Sequence, residues 1–236
     1  MSEEDGAPTV EEVYDDIAES YADGYWSDNP HQADLEFPAT TDLIPEVAGE
    51  RVLDAGCGSG VYTEWLLDRG ASVVGVDVSE AMLEETRDLV GTRATLHRAD
   101  LSEGLPFASD GEFDGVVCAQ VLDHLPSLET PFREFARILD DGGFLVVSVR
   151  HPLRNARAYE DWTYYETERQ IEDWGVETPH YTRPLQTILG ELLSAGLQLE
   201  ALTEPEPTEA FREKTPEEYE RLSRRPQFLC LRARKR

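Results

Sequence analysis

The segment Val52-Leu53-Asp54-Ala55-Gly56-Cys57-Gly58-Ser59-Gly60 constrains this chain more than any other. A short apolar run passes straight into three glycines within five residues, and a helical pattern opens immediately afterwards. Glycines let the backbone turn tightly and let a ligand approach where a Cβ would collide. Around this segment the texture repeats. Apolar runs at 51–55, 72–77, 94–98, 113–118 and 143–149 alternate with helical periodicity at 62–69, 80–90 and 128–139. Nearly continuous apolar strands separated by helices predict a parallel sheet covered on both faces, a doubly wound α/β domain.

The flanks read differently. Residues 1–8 have the composition of a disordered end, and Val10, Val13, Tyr14, Ile17 and Tyr21 then recur at helical spacing. Residues 22–45 read as irregular, with Gly24, Asn29, Pro30 and Pro38 as breakers. Residues 151–182 interrupt the α/β rhythm and hold six of the chain's 21 aromatic residues. A helix over 184–195 and strands over 197–203 and 227–232 follow, the last two separated by an acidic, Pro-rich stretch with no helical crossover. Without a crossover, an antiparallel final pair is expected. The organisation predicted is an N-terminal helix and lid (1–45), a ligand-binding α/β core (46–150), a cap insertion (151–182) and a C-terminal completion of the sheet (183–236).

The glycine spacing narrows the ligand. A dinucleotide fingerprint, Gly-x-Gly-x-x-Gly, would need glycine at position 61, where this chain has Val61. Asp54, two residues before the first glycine, is poor company for a pyrophosphate and good company for a cation. Asp77 closes the next strand about 20 residues on, where an acid can hold ribose hydroxyls, and Asp100 closes a third. All three open onto the crevice where such sheets bind ligands. Taken singly, Asp77 or Asp100 also reads as a helix cap or a loop acid.

With these motifs in place, residues 51–149 resemble the class I S-adenosylmethionine (SAM)-dependent methyltransferases, especially those similar to the ubiquinone and menaquinone biosynthesis enzymes. The carriers are Val52–Gly60, Val74–Leu83, Leu105-Pro106-Phe107 with Phe113–Cys118, and Arg137–Gly143, in that order. The resemblance implies a Rossmann-like sheet of seven strands with an antiparallel last strand. It implies that Asp54, Gly56 and Gly58 surround the methionine part of SAM, with Gly60 opening the following helix. It implies Asp77 on the ribose, Val78 against the adenine, Asp100 accepting from the adenine amine, Leu101 in backbone contact, and Ala119 near the sulfonium.

Methyl transfer from a sulfonium is a direct displacement that asks the protein mainly for alignment. No obligatory catalytic residue follows from the motifs. His124 and His151 lie just past the fourth and fifth strands and are the candidates for a catalytic role or a helix-end contact, with His151 and His180 also candidates for substrate contact. Tyr14, Tyr21, Tyr25 and Trp26 face the 159–181 aromatics, including Tyr181, as candidate walls of an acceptor chamber or as packing between cap and sheet. Arg150, Arg154, Arg157 and Arg183 are available to a carboxylate or phosphate. Ala119-Gln120-Val121-Leu122 stands where base methylation would use Asn-Pro-Pro-Tyr, which favours a small acceptor. The alternatives are a SAM-binding regulator, or tRNA or protein methylation, to which only the basic tail 232–236 points.

Composition says what surrounds the chain. Its 49 acids against 21 bases give a formal charge of −28, with 19 of the bases Arg and only Lys214 and Lys235 lysine. Such a surface repels nucleic-acid phosphate and anionic membranes. It also suits molar salt, where the Debye length is about 3 Å, so a halophilic, cytoplasmic protein is expected. The acidic N-terminus has no signal-peptide pattern and no apolar run approaches a membrane span. Cys57, Cys118 and Cys230 fit neither a disulfide framework nor a zinc site, so no metal is expected.

Overall fold

The structure is a computed structural model that describes residues 8–22, 28–154, 163–173 and 176–236. Five parallel strands, β1 (Arg51–Ala55), β2 (Ser72–Asp77), β3 (Thr95–Arg98), β4 (Phe113–Ala119) and β5 (Leu139–Arg150), form most of a sheet. A hairpin, β6 (Glu168–Asp173) with β7 (Glu177–Thr182), stands apart from it. Strands β8 (Leu197–Thr203) and β9 (Phe228–Lys235) complete a seven-stranded order β3-β2-β1-β4-β5-β9-β8. β9 lies antiparallel to both of its neighbours, so the last strand of the chain is the reversed one.

Alternation along each strand divides the core between two faces. Leu53, Val116, Leu145 and Val147 pack under Phe132, Phe135 and Ile138 of α5 (Glu129–Ile138) and Ile188 and Leu192 of α6 (Leu185–Ser194). Val52, Val117 and Val146 pack on the other side with Tyr62 and Leu66 of α3 (Val61–Leu67). Helix α1 (Val10–Ser20) is set by a Thr9/Glu12 capping box. The Asp15 carboxylate accepts from the Ser79 hydroxyl at 2.6 Å, fixing α1 to the start of α4 (Glu80–Val90).

Two sequence expectations are corrected. The segment read as irregular coils into a π-helical stretch, Gln32–Glu36, that continues as α2 (Phe37–Thr41). Pro38 stands where the π-helical turn passes into α2. The acidic stretch before β9 carries α7 (Glu209–Lys214), capped by Thr208, and α8 (Pro216–Leu222), begun by Pro216. Fully buried Phe211 anchors α7 in the core. The final pair is antiparallel even though its connection is helical, because β9 inserts between β5 and β8.

The basic tail is strand rather than free arm: Arg232 and Arg234 both pair with Glu200, and Lys235 donates to the Leu139 carbonyl at 2.6 Å. Among the described residues no helix is long and apolar enough to cross a membrane.

Candidate functional site

The strand order reverses between β1 and β4, and ligands of such sheets bind outside the carboxyl ends of the strands at that point. A cavity of about 1450 Å³ lies there. Its floor follows the sheet: Asp100 beyond β3, Asp77 at the end of β2, Gly56 and Gly58 beyond β1, Ala119 and Gln120 at β4, and Arg150 at β5.

The glycine loop fits this place because side chains would not. Gly56 has φ +80°, and a Cβ there would stand 2.2 Å from the Val121 side chain. Gly58 has φ +52° with open space where its Cβ would be, so the backbone is presented bare to the cavity. Its carbonyl accepts from the Thr86 hydroxyl at 2.6 Å, which ties the loop to α4.

The three acids separate. Asp77 takes the Gly58 N–H at 2.9 Å and the Ser79 N–H at 3.0 Å, and burial raises its pKa against those bonds. Ser79, not Asp77, caps α4. Asp100 takes the Ser102 N–H at 2.7 Å and lines the cavity, as do Val78 and Leu101. Asp54 is 1% exposed and is not among the described lining residues; the Thr63 hydroxyl donates to it at 2.6 Å and burial pushes it up to about 7. Asp54 and Gly60, at the start of α3, are not among the residues that line the cavity.

The histidines separate too. His124 lines the cavity, yet both ring nitrogens are engaged: Nδ1 donates to the Pro179 carbonyl at 3.0 Å and Nε2 accepts from the Tyr14 hydroxyl at 3.1 Å. Burial, with the Arg150 charge, pushes it down to about 4, so it is neutral. His151 faces away, into a small adjoining pocket, bonded to Glu204 at 2.7 Å and to the Leu153 N–H at 3.1 Å. This is a correction of its expected position over the site. His180 is buried beside that pocket, and among the described residues neither of its nitrogens has a hydrogen-bond partner.

At the far end Tyr14, Tyr21 and Tyr181 line the cavity; Trp26, Tyr25 and Arg157 lie outside the described residues. Arg150 and Arg154 line it as well, with Glu172 between them at 2.6 and 3.7 Å. Arg183 instead donates to the Leu122 and Leu125 carbonyls. The sequence did not point to Arg169 from β6, Arg221 from α8, Glu36 or Gln120, all of which line the cavity. A signal was visible for Gln120 alone, in its place directly after the fourth apolar run.

Comparison with known proteins bears directly on this geometry. A family model described as a methyltransferase domain matches residues 53–147. The crystal structure of an S-adenosylmethionine dependent methyltransferase from Mesorhizobium loti superposes with a TM-score of 0.74 at 34% identity, covering 85% of this chain and 97% of that one. The chain belongs to the class I SAM-dependent methyltransferases. A ubiquinone biosynthesis O-methyltransferase from Pseudomonas aeruginosa is 36% identical over 115 residues, 48% of this chain and 49% of that protein, so the match spans about half of each. An uncharacterised protein of Haemophilus influenzae is 28% identical over 85% of this chain. The fold alone is shared with the [4+2]-cyclase SpnF, at 20% identity and a TM-score of 0.67.

The site of this methyltransferase is chemically suited to SAM. The loop offers bare backbone at Gly58, and Asp77 and Asp100 offer hydrogen-bond acceptors on the adjoining strand ends. Among the described residues no cluster of His, Cys, Asp and Glu is arranged to hold a metal ion.

Proposed function

We propose that this methyltransferase acts on a small acceptor that carries an anionic group and a nucleophilic hydroxyl. SAM supplies a methyl group already activated on a sulfonium, so the C–S bond breaks as the new C–O bond forms and the acceptor's proton passes to solvent. The chain's task is to align acceptor and methyl and to exclude water. In this reading Asp77 accepts from the ribose hydroxyls, Val78 flanks the adenine, Asp100 accepts from the adenine amine and Leu101 gives a backbone contact. Gly56 and Gly58 admit the methionine part, and Ala119 borders the reacting methyl. Neutral His124, both nitrogens occupied, holds the wall and moves no proton.

The observation that carries the reading is the cavity's continuation past β4, under Tyr14, Tyr21 and Tyr181, to Arg150, Arg154, Arg169 and Arg221. Tyrosine walls suit a planar body and guanidinium groups suit a carboxylate or phosphate. Such a chamber favours a small molecule over a nucleic acid.

The test is release of S-adenosylhomocysteine from SAM with 3,4-dihydroxybenzoate as acceptor, in wild type and Arg169→Ala. A rise of about tenfold in KM for the variant, with SAM affinity unchanged, is expected from losing one charge-assisted bond. Turnover of tRNA or protein, with none of the benzoate, contradicts it.

A further inference from the structure

Gln120 is the one described residue other than glycine with a positive φ, +58°. Left-handed backbone is disfavoured for a side chain with a Cβ and persists where surrounding contacts impose it, often at functional sites. Here the constraint is visible: the Gln120 N–H donates to the Ser148 carbonyl at 2.9 Å as β4 leaves the sheet. The twist puts the side chain on the cavity wall, between the end formed by Asp77 and Asp100 and the end formed by the arginines.

The orientation of its amide follows from a chain of hydroxyls. Glu36 is fully buried and receives the hydroxyls of Thr40 at 2.8 Å, of Tyr62 at 2.9 Å and of Ser148. The Ser148 hydroxyl points to Glu36, and its lone pairs face Gln120, whose Nε2 donates to it at 3.2 Å. The amide thus turns its NH₂ to Ser148. That leaves Oε1 as the free end, and no described residue donates to it. A hydrogen-bond acceptor is thus held in a fixed orientation at the middle of the cavity.

We propose that Gln120 Oε1 accepts the hydrogen bond of the acceptor's nucleophilic hydroxyl and so aims that oxygen at the methyl group. Ser148 and Glu36 are positioning residues behind it. The proposal rests on the small-acceptor reading and deepens it, because it demands an O–H or N–H donor at the reacting atom.

Calorimetry on the protein loaded with S-adenosylhomocysteine tests it, using 3,4-dihydroxybenzoate and benzoate as probes. One neutral hydrogen bond converts to about a fivefold preference for the hydroxylated probe in the wild type. Gln120→Leu and Gln120→Ala should bring that preference to near unity, with affinity for benzoate and for S-adenosylhomocysteine unchanged. Gln120→Asn keeps the amide and tolerates the left-handed backbone, so it should restore part of the preference. Ser148→Ala, which frees the amide to rotate, should weaken the preference without touching benzoate. An undiminished preference in Gln120→Leu overturns the proposal. So does a parallel loss of S-adenosylhomocysteine affinity, which would make Gln120 a residue of the cofactor site. Failure of the wild type to bind either benzoate removes the anionic small-acceptor reading, and this proposal with it.

Discussion

The Asp77 carboxylate at the end of β2 accepts the Gly58 N–H at 2.9 Å, joining the second strand to the glycine loop of the first. The bond uses one oxygen, while the other takes the Ser79 N–H at 3.0 Å. Each carboxylate oxygen retains a lone pair for a ligand. Asp77→Ala should therefore weaken SAM binding by about 1.5–3 kcal/mol, the worth of a hydrogen bond to a charged group. Calorimetry measures this, and an unchanged affinity would remove Asp77 from the ribose.

Asp54 gives a pH prediction. Burial raises its pKa from 3.8 to about 7 in the folded protein. Between those values the native state keeps a proton that the unfolded chain has released. The stability it contributes is fully present below about pH 4 and is lost as pH rises through about 7. Urea unfolding of wild type and Asp54→Asn from pH 5 to 8 should show the wild type losing ground to the variant as pH rises. Parallel pH profiles would contradict the burial argument.

His124 ties two elements together. It joins α1, through Tyr14, to the β7 hairpin, through Pro179. His124→Ala removes both of these bonds, and should lower Tm by about 3–8 °C. Its ring should remain neutral at pH 5.5 by NMR, in keeping with a pKa pushed down to about 4. A ring titrating near 6.5 would show that it is solvated and free to exchange protons.

The sheet could be read from the chain because its signal is local. Strands 51–55 and 72–77 and helix 80–90 stand where the apolar period puts them. The place of Asp77 on the cavity floor was legible because strand, glycine turn and acid lie within one βαβ unit. The acceptor end was not legible in that way. Glu36 comes from a π-helical turn inside a stretch punctuated by prolines, and Arg169 and Arg221 reach the cavity from a hairpin and a helix remote in sequence. Asp54 shows the opposite limit. Its place before the glycines marked it for the ligand, and what the fold adds is burial, with the Thr63 hydroxyl donating to it.

The acidic surface carries a further expectation. Charge of −28 with two lysines leaves like charges crowded, and the Asp114 carboxylate beside Glu50 raises the Glu50 pKa. Screening relieves such repulsion, so the midpoint of thermal unfolding should climb between 0.1 and about 2 M KCl. Full stability without salt would contradict the halophilic reading.

The most direct measurement is a crystal structure of the protein grown with S-adenosylhomocysteine. The account predicts the ribose hydroxyls on Asp77, the adenine beside Val78 and Asp100, and the sulfur facing Ala119 and Gln120. A ligand whose ribose lies at the arginine end, or whose sulfur points away from Gln120, would contradict it.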